Sequence, residues 1–145
     1  MPPRSGRLAW ALGGGMRYLW LGLLVLAGCV QAAPLPCHVT RVVDGDTLHL
    51  ICQGALHKVR LLGFDTPEVF HPGCAAERQA GERASAVMRG LVASGPVTSV
   101  RFEGRDRYGR DLGVVEIGGR DLAGVMLGSG LARPYQGGRH PDWCG

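Results

Sequence analysis

The sequence predicts a mainly β domain with helices, a five-stranded, partly open Greek-key barrel of the OB-fold type. Short β-rich runs are cut by Gly, Asp and Pro turn signals, and two stretches switch to helical spacing. The order is three strands, helix, two strands, helix, which sets a helix between the third and fourth strands as that barrel requires. Such a barrel hosts many functions, so its activity has to be argued from side chains.

The 145 residues suffice for one domain. Residues 1–28 hold Arg4, Arg7 and Arg17, no acid, and an apolar run over 18–27. That run falls short of the roughly 20 residues of a membrane span and suits a signal peptide, with Met16 a tidier start than Met1. It ends in Leu26-Ala27-Gly28-Cys29, which resembles a bacterial lipobox; Cys29 would then be lipidated and anchor the protein to a membrane. Val30-Gln31-Ala32 offers a rival cleavage site. The expectation is an exported protein, periplasmic or extracellular: signal over 1–28, tether over 29–36, folded domain over 37–145. Three of the 16 basic residues lie in the lead, leaving 13 against 12 acidic ones. A near-neutral domain argues against a non-specific basic binder, so any basic patch must be local. Without Cys29, the other four cysteines form an even set with three possible pairings, and export would let them close.

In chain order, residues 38–43 are β-rich, Asp44-Gly45-Asp46 signals a turn, and Thr47–Cys52 alternates with Leu48, Leu50 and Cys52 on one face. Pairing about this turn sets Cys37 nearly opposite Cys52, which predicts a Cys37–Cys52 disulfide. Gln53-Gly54-Ala55 turns the chain into a third strand over 56–65. Pro67 ends it, having no N–H for a ladder and holding Thr66 extended. Ala75–Ala93 has helical spacing, with Ala80, Ala84, Val87, Met88 and Leu91 in a stripe whose small residues imply close approach to a sheet. Glu77, Arg78, Glu82, Arg83 and Arg89 fall mostly off the stripe, and Gly95-Pro96 stops the helix. Residues 97–102 and 112–117 read as strands joined by a charged loop over 103–111. Asp121 is a good N-cap for a short helix marked by Leu122, Val125 and Met126. From Pro134 onward there is no periodicity.

The chemistry gathers in Arg60-Leu61-Leu62-Gly63-Phe64-Asp65-Thr66-Pro67-Glu68. Charges at the end of an apolar strand are exposed, paired, or bound to something ionic. Asp46 starts one strand and Asp65 ends another, so antiparallel neighbours would bring both carboxylates together with the Thr66 carbonyl, an oxygen set suited to a hard cation such as calcium. Asp44-Gly45-Asp46 also reads as plain turn chemistry, and it lacks the spaced ligands of an EF-hand. Arg60 and the arginines of Arg105-Asp106-Arg107-Tyr108-Gly109-Arg110 are solvated side chains on the bland reading and guanidinium forks for a phosphate on the other. In a regular strand Arg60 and Asp65 face opposite sides. Their convergence requires a bulge or sharp twist, and Gly63 is the natural place.

Three segments, Val43-Asp44-Gly45-Asp46-Thr47, the 60–68 stretch and Asp106-Arg107-Tyr108-Gly109-Arg110, resemble the signature blocks of the staphylococcal nuclease (thermonuclease) family in their order and spacing. Leu127-Gly128-Ser129-Gly130-Leu131-Ala132 resembles the family's segment after its second barrel helix. The resemblance implies that Asp46, Asp65 and the Thr66 carbonyl hold Ca2+. It implies Glu68 as general base, Arg60 and Arg110 as the phosphate grip, and Tyr108 as a residue of the nucleotide pocket. It also implies a monomer whose substrate is nucleic acid, DNA or RNA, cleaved to 3′-phosphate ends. The sequence departs from the family in lacking a further C-terminal helix. A Cys74–Cys144 disulfide would compensate by pinning the tail beside the site, worth roughly 2–4 kcal/mol. His71, Cys74, His140 and Cys144 also suit a zinc site, which export disfavours. The rival functions are a non-catalytic OB-fold module for single-stranded nucleic acid and a lipid-anchored envelope protein.

Overall fold

The computed structural model describes residues 37–145. The expected signal peptide, the Cys29 lipidation site and the tether lie outside the described residues. Strands β1 (Cys37–Val42), β2 (Thr47–Cys52) and β3 (Ala55–Leu61) form an antiparallel meander. A short β4 (Gly63–Asp65) follows, then helix α1 (Ala75–Ala93). Strands β5 (Val97–Arg105) and β6 (Asp111–Ile117) form a second hairpin. After β7 (Arg120–Asp121) come helix α2 (Leu122–Gly128) and β8 (Arg133–Tyr135). The main sheet runs β1-β2-β3-β6-β5, with β3 and β6 parallel and β7 paired to β6, while β4 and β8 make a separate ribbon. β1 comes against β5, so the sheet curls into the partly open OB barrel with five long strands.

Register places Cys37 opposite Cys52, and the two are joined in a disulfide with a Cα–Cα distance of 4.2 Å. The alternating residues of β2 and β6 turn Leu48, Leu50, Val115 and Ile117 inward. They meet Val59, Leu61 and Phe64, then Ala84, Met88 and Leu91 of α1 and Leu122 and Met126 of α2. Full burial of each large apolar side chain stabilises by about 1.5–3 kcal/mol.

The structure redraws three boundaries. The expected third strand breaks at Leu62 into β3 and β4, and Gly63 adopts φ +91° there. β5 continues to Arg105, so the expected 103–111 loop is only a tight turn, which Asp106 caps by accepting from Tyr108 N and Arg110 N. Its charged residues face solvent along an open strand and so read as loop. The tail includes β8, whose three residues are too few to show a period.

The α1 stripe is rotated from the expected one, burying Gly81 and Ser85 with Ala84, Met88 and Leu91. Gly81 permits a close approach, since a Cβ there would stand 2.6 Å from Pro67 O and 2.9 Å from Val69 Cγ2. Gly81→Ala should gain helix propensity of about 1 kcal/mol yet lose more to overpacking, which costs about 1–3 kcal/mol. The expected result is a lower thermal midpoint and a larger fall in any activity that depends on the 67–69 turn. Unchanged midpoint and activity would refute the contact.

Candidate active site

The break at Gly63 resolves the parity problem. With the strand interrupted, Arg60 Nη2 donates to Asp65 Oδ1 at 2.9 Å and lies 3.3 Å from Asp46 Oδ2. Arg60 Nη1 donates to Leu61 O at 2.6 Å and Phe64 O at 3.1 Å. One guanidinium therefore braces the kink it depends on with Nη1 and pairs both carboxylates with Nη2. Asp46 and Asp65 are buried, at 7% and 4% exposure. Asp46 Oδ1 accepts from Thr47 Oγ1 at 3.1 Å, and Asp46 Oδ2 from Thr66 N at 3.0 Å and Thr66 Oγ1 at 2.9 Å. Thr66's hydroxyl and N–H are thus used, leaving its carbonyl as the group it can offer a metal.

Gly45 explains the middle of the Asp-Gly-Asp turn. A Cβ there would fall 2.8 Å from Thr66 Oγ1 and 2.9 Å from Ala84 Cβ. The glycine serves close packing of two loops on α1. Asp44 accepts from Asp46 N at 3.0 Å. Burial, with the Asp46 charge beside it, pushes the Asp44 carboxyl up to about 6.

Glu68 is exposed on the turn after β4, and its Oε1 accepts from Val69 N and Phe70 N, both at 2.9 Å. Glu77, in the first turn of α1, clamps the same loop: Oε1 accepts from Glu68 N at 3.2 Å and Oε2 from Gly73 N at 2.6 Å. The N-cap of α1 is Cys74, whose Sγ accepts from Glu77 N at 3.4 Å.

Arg110 Nε donates to Asp106 Oδ2 at 2.7 Å and Nη1 to Thr47 Oγ1 at 3.4 Å. Burial works against the Asp106 charge, but hydrogen bonds from Arg110 and Tyr108 outweigh it and hold the carboxyl below its usual range. Tyr108 is exposed, with Arg107 and Arg110 guanidinium carbons 4.9 and 5.7 Å from its ring centroid.

These groups share a cleft of about 560 Å³. Asp46, Arg60, Asp65, Thr66, Glu68, Tyr108 and Arg110 all line it, as do Asp44, Glu77, His140, Pro141 and Trp143. Asp44, Glu77, Pro141 and Trp143 carry no site role of their own in the sequence reading. His140 was weighed there only as a zinc ligand; here its Nδ1 lies 2.9 Å from Asp65 Oδ1, and Trp143 Nε1 donates to Asp65 Oδ2 at 3.4 Å. Cys74 and Cys144 are joined in a disulfide, Cα–Cα 6.0 Å, so the zinc reading loses both thiolates. Tyr135 stacks on His140 with centroids 4.8 Å apart and lies 5.8 Å from the Arg60 guanidinium carbon.

The donor set fits a hard divalent cation. Its carboxylate oxygens converge from two sides on one Arg60 nitrogen. A carboxylate pair that fits a cation, beside two guanidinium groups and with a separate carboxylate on the same cleft, suits hydrolysis of phosphodiesters; the class that the fold and site define is a nuclease.

Similarity to known proteins gives the family. The sequence pattern of the family described as "Staphylococcal nuclease homologue" matches residues 58–142. An Escherichia coli protein named only as an uncharacterized endonuclease is 32% identical over 121 residues, covering 83% of this chain and 74% of that one. Endonuclease YncB of Bacillus subtilis is 39% identical over 95 residues, 64% of this chain and 44% of its own. Thermonuclease of Staphylococcus hyicus is 31% identical over 107 residues, 74% of this chain and 63% of its own. The chain belongs to the staphylococcal nuclease family, whose members use a divalent metal ion and act on nucleic acid.

Proposed function

We propose that the protein is an exported, calcium-dependent endonuclease that hydrolyses DNA or RNA to 3′-phosphate ends. The observation that carries this reading is the meeting of Asp46, Arg60 and Asp65 in one cleft with Glu68 and Arg110. Asp46, Asp65 and the Thr66 carbonyl would hold Ca2+. When bound, the ion polarises a phosphoryl oxygen and organises the attacking water.

The remaining steps belong to the chain. Glu68, its carboxylate oriented by two backbone N–H groups, takes the proton of the water. The water oxygen bonds to phosphorus and the bond to the 5′-oxygen breaks, leaving the phosphate on the 3′ side. Arg110 and the Arg60 guanidinium meet the charge that builds on the phosphoryl oxygens. Guanidinium groups do not release protons in water, so the departing 5′-oxygen takes its proton from solvent. Tyr108 stands at the mouth, where a sugar or base can lie against its ring.

Two disulfides support export, because such bonds persist in oxidising compartments. Residues 1–28 would direct it, with Cys29 as the lipid anchor. Among the described residues, no helix is long and apolar enough to cross a membrane. The protein would act as a monomer.

The test is cleavage of single-stranded DNA, duplex DNA and RNA by the disulfide-intact protein with calcium, with excess chelator, and with calcium restored. The expected result is cleavage that chelation abolishes and calcium recovers. Chelator-resistant cleavage would refute the metal role. Binding without cleavage, by folded protein with calcium, would establish the OB-module reading instead.

A further inference from the structure

We propose that residues 133–144 form a positioning arm for Asp65: His140 and Trp143 orient its carboxylate, and the Cys74–Cys144 disulfide holds the arm in place. This deepens the nuclease reading and rests on it.

The two acidic ligands are supported differently. Asp46 is fixed by barrel groups, Thr47 Oγ1 on one oxygen and Thr66 N and Oγ1 on the other. Asp65 has one barrel partner for its carboxylate among the described residues, Arg60; its other two are His140 on Oδ1 and Trp143 on Oδ2. Two of the three side-chain contacts that orient the Asp65 carboxylate, the one on Oδ2 among them, therefore come from the tail.

The arm is built for this placement. β8 pairs with β4 so that Arg133 stands opposite Asp65, which starts the arm beside the residue it serves. The Arg133 guanidinium carbon lies 4.3 Å from the Trp143 ring centroid, and Nη1 donates to Asp142 O at 2.6 Å. Tyr135 backs the imidazole of His140, their planes 15° apart. Beyond Tyr135 the arm has no regular structure, so these contacts and the disulfide define its path. The disulfide reaches the N-cap of α1, beside the Glu77 that clamps the Glu68 turn. Both acidic corners of the cleft are thus tied to one covalent link. Groups that orient a metal-binding side chain typically change metal affinity or activity by roughly 10–100-fold when removed.

The experiment uses the full chain with four variants: His140→Ala; His140→Asn, whose Nδ2–H stands near the imidazole Nδ1; Trp143→Phe, which keeps the ring on Arg133 and deletes the N–H; and Cys74→Ser with Cys144→Ala, where serine preserves a helix cap. Mn2+ affinity is read without substrate from the spin-resonance signal of the free ion. kcat and KM are measured separately on single-stranded DNA. His140→Ala and the disulfide-free variant should weaken Mn2+ binding and lower kcat by roughly tenfold or more, with KM within about twofold. His140→Asn should recover most of both losses, and Trp143→Phe should show a smaller loss of the same kind. Wild-type Mn2+ affinity and kcat in His140→Ala would overturn the proposal. So would equal losses in the Ala and Asn variants at equal thermal midpoints. Absence of cleavage by the wild type would refute the nuclease reading separately, while Mn2+ affinity would still decide the role of the arm.

Discussion

Glu68→Gln is expected to lower kcat by about 10²–10⁴-fold, the range of a positioned proton acceptor. Its stability should stay within about 0.5 kcal/mol of the parent, as for a surface substitution that breaks no buried contact. Glutamine keeps an Oε1 acceptor for Val69 N and Phe70 N, so the turn has no reason to move. Only the ability to take a proton from water is lost. KM for the nucleic acid should change little, since the carboxylate does not grip the substrate. Normal turnover in this variant would remove Glu68 from the base role and point to solvent or another carboxylate of the cleft. A matched loss in turnover and thermal midpoint would instead make Glu68 a structural residue of the loop.

The residues of the 60–68 stretch were legible because their types conflict with their place. Charges clustered at the end of an apolar strand need a partner, and the odd spacing of Arg60 and Asp65 demanded a kink that Gly63 supplies at φ +91°. Asp46, Tyr108 and Arg110 were legible from turn chemistry combined with the family's blocks. Glu77 was not, because a glutamate in the first turn of a helix looks like any solvated or dipole-complementing acid. Its clamp exists only once the 68–73 loop folds back over α1. His140 and Trp143 left no local signal either. They follow a bend at Gly137-Gly138, and their place depends on a disulfide spanning 70 residues of sequence. The Cys74–Cys144 pairing located the tail near the site without saying which of its side chains would enter. Long-range closure of this kind carries no periodicity, so it becomes readable only in three dimensions.

Arg60 and Arg110 share a phosphate role in the proposed mechanism but should separate when each is replaced by alanine. Arg60 is buried among two carboxylates and two main-chain carbonyls. Removing it leaves Asp46 and Asp65 facing each other without their cation, a loss of about 3–5 kcal/mol for a broken buried charge network. The expected outcome is a thermal midpoint lower by roughly 10 °C or more, together with loss of turnover. Calcium should raise the midpoint of Arg60→Ala more than that of the parent, because a cation at those carboxylates relieves the repulsion the substitution exposes. Arg110 is half-buried on a tight turn, and its pair with Asp106 is worth at most about 1 kcal/mol. Arg110→Ala should therefore keep its midpoint nearly unchanged while kcat falls by about 10²–10³-fold, the effect of deleting one donor from a developing oxyanion. Lysine at either position supplies charge but not the fork. At residue 60 it would answer one Asp and abandon the carbonyls of Leu61 and Phe64, so Arg60→Lys should fall between parent and alanine in stability. Near-normal turnover in Arg110→Ala would break the phosphate-grip assignment. An unchanged midpoint in Arg60→Ala would show that the kink after β3 stands without the guanidinium and that its place between the carboxylates serves chemistry alone.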